Sequence, residues 1–305
     1  MPGLDASVGA EQHFVLSNLA PGSTQKRIAL AIVLGLLIAL YLITGPFSGI
    51  QLAQLNAFVA IYATAMFVTD SITAILLYAQ SSILRSRGVL VIASGYLFTA
   101  LIVVLYLLTF PGVMAPNGIF GGVQTSAWLY VIWHNGFALF VIAYALTKDE
   151  SPNRAGRGGA SGNVLWAVIG TVLLAAAAGT VATSGTELLP KLMLNPVRFA
   201  PNWPYVVGTP IASLCIAAIL ILWIRRKTVL DLWLMVVMFL YLVEVPLSWY
   251  PSPTRFSTGW YAVRVVGFIS SSLVLTVLLY EITKLYAKLL SAVLGQRPER
   301  EARLL

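Results

Sequence analysis

RSRGVLVIASGYLFTALIVVLYLLTFPG, Arg85–Gly112, decides the fold class. Two arginines precede an uncharged run, Val89–Phe110, which closes on Phe-Pro-Gly. A run of ~20 apolar residues spans a hydrocarbon core as a helix rising ~1.5 Å per residue. Seven further apolar stretches reach similar or nearly similar length, giving segments at about 28–43, 57–79, 89–110, 127–147, 164–183, 206–224, 230–249 and 260–280. The expected fold is an all-α integral membrane protein, a bundle of eight transmembrane helices.

The basic residues set the expected orientation. Lys26 and Arg27 precede the first segment; the even connections hold Arg85, Arg87, Lys148, Arg154, Arg157, Arg225, Arg226 and Lys227. Lys284, Lys288, Arg297, Arg300 and Arg303 follow the last segment. The odd connections hold only Lys191, Arg198 and Arg255, and Arg264 lies inside the last segment. Basic loops stay cytoplasmic, so both termini are expected there. Composition agrees, with 59% hydrophobic and 10% charged residues against about 25% charged in soluble domains. The cations form no dense stripe. Anionic membrane lipids are therefore the expected partner and nucleic acid is not.

A lone cysteine, Cys215, excludes an intrachain disulfide and a cysteine-only metal site. The first 25 residues do not read as a cleavable signal, because Asp5 and Glu11 lie in them and the basic pair follows them. The expected layout is a cytoplasmic tail over 1–25, an eight-helix membrane domain over 26–283 and a cytoplasmic helical stalk with its tail over 284–305. The connection Lys148–Asn163, rich in Gly and Ser, is expected to be mobile. The proline-rich Ser184–Tyr205 connection is expected to be extended, and the uncharged Phe110–Ala127 connection to be a turn or else to dip back over the bundle.

The last segment continues past the membrane. Leu278, Ile282, Leu285, Leu289 and Val293 follow a one-face helical spacing, with Glu281, Lys284 and Lys288 on other faces. That stripe suggests a signalling stalk and a parallel homodimer, or a helix lying along the inner leaflet. Gly295 and Pro298 are expected to end it.

Three stretches resemble one family: FVTDSITAILLYAQ (Phe67–Gln80), the run Gly95–Leu146 and GWYAVRVVGFISSSLVLTVLLYEITKLYAKL (Gly259–Leu289). The combination of Thr69-Asp70-x-x-Thr73-Ala74, Gly95–Ala100, Phe110-Pro111-Gly112, Gln124-Thr125-x-x-Trp128-Leu129-Tyr130 and Trp133-His134 carries the likeness. It resembles the fourth family of membrane-associated sensor (MASE-type) domains, input modules of bacterial diguanylate cyclases and histidine kinases. The resemblance implies signal reception in the bacterial inner membrane and a cytoplasmic cyclase or kinase partner. It names no signal and no cofactor. No GGDEF motif or kinase histidine box occurs up to Leu305, so this chain is expected to be non-enzymatic, standing alone or forming part of a longer product.

Charged groups inside a bilayer are costly and invite a functional reading. Asp70, near the middle of its segment, reads as a proton- or cation-responsive group or as a hydrogen-bonded structural acid. Glu244 and Arg264 enter at similar depth in adjacent segments and are expected to pair; alternatively Arg264 holds an anionic ligand. His134 is expected in the same outer half with Gln124 beside it. The only other histidine, His13, lies on the opposite side, which excludes bis-histidine haem ligation within one chain. Trp128, Tyr130, Trp133, Trp249, Tyr250, Trp260 and Tyr261 read mostly as an interfacial belt, or as the wall of a pocket. The candidate sensing residues are thus Asp70, Gln124, His134, Glu244 and Arg264, with Leu278, Ile282, Leu285 and Leu289 for transmission. The alternative function is a small-solute or ion transporter, which would require an inverted repeat or a chain of ionisable groups.

Overall fold

A computed structural model describes residues 20–149, 160–247 and 254–302. The mobile-loop reading of 150–159, the N-terminal tail with His13, and Trp249 with Tyr250 lie outside the described residues. Among the described residues eight helices are long and apolar enough to cross a membrane. They are α1 Ser23–Thr44, α2 Asn56–Leu84, α3 Arg87–Thr109, α4 Thr125–Thr147, α5 Ala160–Thr183, α6 Thr209–Ile224, α7 Val229–Leu247 and α8 Thr258–Ala302. A wide π turn, Pro204–Gly208, leads into α6, so that span begins at Pro204.

Six helices close a ring: α2 packs on α3, α3 on α4, α4 on α6, α6 on α7, α7 on α8 and α8 on α2. α5 lies outside against α3 and α4, and α1 outside against α7 and α8. The two outer helices are mostly exposed, as helices facing lipid on most sides must be.

Small residues set the ring's tightest crossing. A Cβ on Gly95 would lie 2.8 Å from the Cβ of Phe140, and one on Gly136 would lie 2.5 Å from the Phe98 ring. A Cβ on Gly88 would meet the Lys148 backbone at 2.7 Å. α3 and α4 therefore approach closely over their even-end halves.

At the even end, named for the even connections, Asp231 ties three segments together. Its Oδ2 accepts from Lys148 Nζ at 2.6 Å and from the backbone N–H groups of Lys227 and Thr228 at 2.9 Å. Its Oδ1 accepts from the Tyr144 hydroxyl at 2.8 Å. Thr228 and Asp231 also form the reciprocal cap that opens α7, with Asp231 N–H donating to Thr228 Oγ1 at 3.2 Å. Above this buried pair, Asp149 bridges Arg225 at 2.8 Å and Lys227 at 3.1 Å.

At the odd end the four connections interlock. Bridges join Gln51 to Ser257, Arg198 to Thr254 and Met193 to Phe199. The α5–α6 connection is hairpin-like: Leu194 N–H donates to Arg198 O, Ala200 N–H donates to Leu192 O, and Asn195 Oδ1 caps the turn. The α3–α4 connection is a compact turn with Gly112, Gly118 and Gly121 at φ between +80° and +85°. A Cβ on Gly118 would sit 2.6 Å from the Thr109 carbonyl oxygen, so only glycine fits there.

α8 corrects one expectation. It runs through Gly295 and Pro298 to Ala302. An internal proline removes one ladder bond and kinks a helix without always ending it. The expected stripe also divides. Leu278 is buried, Ile282 is exposed, and Glu281 turns inward, where its Oε1 accepts from Gln25 Nε2 of α1 at 3.1 Å. A separation of four residues turns about 40° around a helix, which moves Ile282 off the packed face. The side chains of Leu285 and Leu289 lie outside the described residues.

Candidate functional site

The interior of the ring is aromatic with a few ionisable groups set into it. Asp70, His134, Glu244 and Arg264 are all buried, on α2, α4, α7 and α8 respectively. They divide into a mid-bundle site and an odd-end cluster.

Mid-bundle, the Ser271 hydroxyl of α8 donates to Asp70 Oδ1 across the α2–α8 contact. Asp70 Oδ2 has no hydrogen-bond partner among the described residues. Thr69 and Thr73 bond back to their own helix and leave Asp70 to α8.

In the odd-end cluster, His134 Nε2 lies 3.2 Å from Glu244 Oε2, and His134 Nδ1 lies 2.8 Å from the Tyr130 carbonyl oxygen. A carbonyl oxygen only accepts, so Nδ1 carries a proton. One further proton must lie between Nε2 and the carboxyl group, since two lone pairs would repel at that distance. The pair is then net neutral, whether as imidazolium with carboxylate or as imidazole with carboxylic acid. Rings of Tyr130, Trp133 and Tyr241 surround the imidazole at centroid distances of 3.9, 4.6 and 4.8 Å. Glu244 Oε1 has no hydrogen-bond partner among the described residues and faces Gly267 of α8, where a Cβ would approach it to 3.2 Å.

The expected Glu244–Arg264 ion pair is not made. Arg264 stacks on the Trp260 ring with Cζ 3.7 Å from its centroid. It donates to Trp260 O at 3.2 Å and to the Tyr106 hydroxyl at 3.4 Å. Equal depth on neighbouring helices does not fix rotation about their axes; Glu244 faces α4, and the acid is taken by the imidazole there.

Gln124 is a fastener. Its Oε1 accepts from the N–H groups of Leu192 and Met193 at 2.8 and 3.0 Å, and its Nε2 donates to Met193 O at 2.7 Å. This pins the α5–α6 hairpin over the start of α4.

The aromatic residues depart from an interfacial belt. Trp133, Trp260, Tyr130 and Trp203 are buried, and Trp128 with Tyr261 is half-buried. They fill the ring's odd end because its loops roof it over. Tyr205 remains exposed.

Sequence reasoning counted Arg255 only as a loop cation, yet it is 2% exposed and turned inward. It donates to Pro196 O at 3.2 Å and to Ser126 Oγ at 3.0 Å, and lies over the Phe110 ring at 4.7 Å. Burial pushes its guanidinium down to about 10, with Arg264 nearby acting in the same direction. Phe256 beside it has φ 64°, a conformation costly for a bulky residue, and packs on Trp260. The residue order Arg255-Phe256, one polar inside a charge-poor loop and one aromatic, was the available signal.

Eight membrane-long helices with a closed, polar-studded interior are the setting for the comparison with known families. The model of an integral membrane domain described as a membrane-associated sensor, MASE4, matches residues 53–286. The chain belongs to the MASE4 family. No curated protein and no solved structure matches it. The MASE4 match begins before α2 and ends in α8, so it takes in the whole six-helix ring and leaves out α1. MASE4 domains are sensor modules and not catalytic domains. Among the described residues no group of three His, Cys, Asp or Glu side chains could hold a metal ion.

Proposed function

We propose that this MASE4 chain is a non-enzymatic input module of the bacterial inner membrane, whose buried odd-end cluster receives a stimulus from the outer side and whose α8 passes the change to a cytoplasmic partner. The observation that carries this reading is that one helix holds both parts. α8 contributes Arg264, Gly267 and Ser271 to the interior and then continues to Ala302. Its 45 residues extend about 67 Å at 1.5 Å per residue, against ~30 Å of hydrocarbon.

The distribution of Lys and Arg supports cytoplasmic termini, with 1–25 as a tail, 26–283 as the sensor and 284–305 as the stalk. Leu279, Ile282, Tyr286 and Leu290 are exposed at spacings of three, four and four residues, which favours a parallel homodimer through this face. Leu278 anchors the helix in the core, and Ile282, Leu285 and Leu289 would carry the motion onward. A diguanylate cyclase or histidine kinase is the class of partner such a stalk serves. Transport is the weaker reading, because Trp133, Phe137, Tyr96 and Tyr241 fill the ring between its two ends.

The test is helical phase. A dimeric cyclase domain is fused after Leu290, and two or four residues are inserted after Tyr286. Two residues rotate the output by about 200° and four by about 40°. Cyclase output should change far more for the two-residue insertion; equal output from both would overturn transmission through α8.

A further inference from the structure

Arg255, Arg264 and Tyr130 line one small cavity under the odd-end roof, together with Tyr106, Ser126, Ala127, Phe199 and Trp203. Its volume is about 10 Å³, room for one water-sized centre. Both guanidinium groups are buried, and every hydrogen bond given above for them ends on a neutral acceptor. Neither has a carboxylate within 4 Å among the described residues. Glu244, the acid of this cluster among the described residues, is engaged with His134, and that pair is net neutral. The pocket therefore concentrates about two positive charges in a low-dielectric place, which strongly disfavours leaving it without a counter-ion. The Tyr130 hydroxyl is buried at the same cavity and has no hydrogen-bond partner among the described residues. It is a donor waiting for an acceptor.

We propose that this cavity binds a small monovalent anion, held by Arg255 and Arg264 with the Tyr130 hydroxyl as third donor. The size of the cavity admits a halide with the roof closed. The carboxylate of a short organic acid carries the same charge but requires the Phe199–Trp203 segment to lift. Phosphate and sulfate are too large for the closed site. The roof hydrogen bonds that hold Arg255, namely Arg255 N–H to Val197 O at 2.8 Å and Gln51 Nε2 to Arg255 O at 2.8 Å, join three of the four odd connections to the site. Occupancy would then tighten the roof and fix the start of α8, where Arg264 lies. That consequence for signalling rests on the function proposed above; the binding itself does not.

The experiment uses the full chain purified in detergent in sodium gluconate, titrated with chloride, bromide, acetate or sulfate at matched ionic strength. Melting temperature and tryptophan fluorescence, to which Trp203 and Trp260 contribute, are read together. Chloride or bromide should change the fluorescence saturably and raise the melting temperature, by about 5 °C at a hundred times the dissociation constant. Saturation with acetate alone identifies an organic acid and an opened roof, within the same proposal. Tyr130→Phe removes only an unpartnered hydroxyl and should fold, with affinity weakened roughly tenfold. Arg255→Gln should abolish the saturable response. A response equal for all four salts and without saturation overturns the site, as does one left unchanged by both substitutions. Anion binding that survives alongside equal output from the two α8 insertions would leave the site standing and sink the signalling role instead.

Discussion

Glu244 and His134 face each other from α7 and α4, Oε2 to Nε2 at 3.2 Å, and share one proton in a cage of three aromatic rings. Both are 2% exposed. Removing one member of such a pair leaves the other polar and buried without compensation, while removing both is milder.

The pair predicts a double-mutant cycle. Glu244→Gln and His134→Phe should each lower the melting temperature in detergent, and the double variant should lose less than the two losses added. The coupling is expected at about 1–3 kcal/mol, the range for contacting residues. Glu244→Gln with Arg264→Gln should show a smaller coupling, since those two make no direct bond. A larger coupling for the Arg264 cycle would mean that the acid prefers the guanidinium.

A second prediction concerns Gly267. A Cβ there would meet the Tyr62 hydroxyl at 3.1 Å and Glu244 Oε1 at 3.2 Å, while one on Gly170 of α5 meets nothing within 4 Å. Gly267→Ala should destabilise the fold by about 1–3 kcal/mol through overpacking. Gly170→Ala should be neutral or gain up to about 1 kcal/mol from helix propensity. Thermal melts of the two single variants decide it, and a stabilised Gly267→Ala would show that the α7–α8 contact has slack.

Much of this fold is legible in hydropathy alone. All eight spans, and the burial of Asp70, His134, Glu244 and Arg264, follow from the cost of exposing backbone and charge to lipid. Partner choice does not, because it depends on each helix's rotation, and a sequence gives depth far better than rotation. Hence Arg264 was expected on Glu244 and instead lies on Trp260. The inward turn of Arg255 depends on roof contacts between connections some 60 and 130 residues apart, with Pro196 and with Ser126. Asp231 was readable: Thr228 three residues before it is a helix-start pair. Its bond to Lys148, which joins α4 to α7, was not.

Acidification should act on the exposed ion pairs of Asp149 at the even end. The Arg225 guanidinium holds the Asp149 carboxyl below its ordinary value, with Lys227 adding to the effect. A depressed carboxyl contributes stability above its unfolded value, and that contribution is lost as pH falls through the folded one. The site is about a third exposed, so the contribution is small, under about 1 kcal/mol. Asp149→Asn should therefore melt slightly lower than the parent by a constant margin from pH 8 to 5, and the margin should begin to shrink near pH 4 and be lost as pH falls through the lower folded-state value. A margin that instead grows on acidification would reverse the assigned sign.

The last prediction joins α2 to α8. Ser271 Oγ donates to Asp70 Oδ1 near the middle of the bundle, and both residues are buried. Ser271→Ala takes away the one hydrogen bond given to that carboxyl and should destabilise by about 1–3 kcal/mol, the cost of an unsatisfied buried polar group. Asp70→Leu combined with Ser271→Ala replaces both partners by apolar groups and should recover part of that loss, for the same reason. If the link is also part of signal transfer, the two variants will separate stability from output. The double variant would regain part of the lost melting temperature but, in a fusion with a cyclase domain after Leu290, would respond to the stimulus no better than Ser271→Ala. Recovery of both properties together would make Asp70–Ser271 a structural contact only, and leave the odd-end cluster as the sole place where α8 is engaged by a signal.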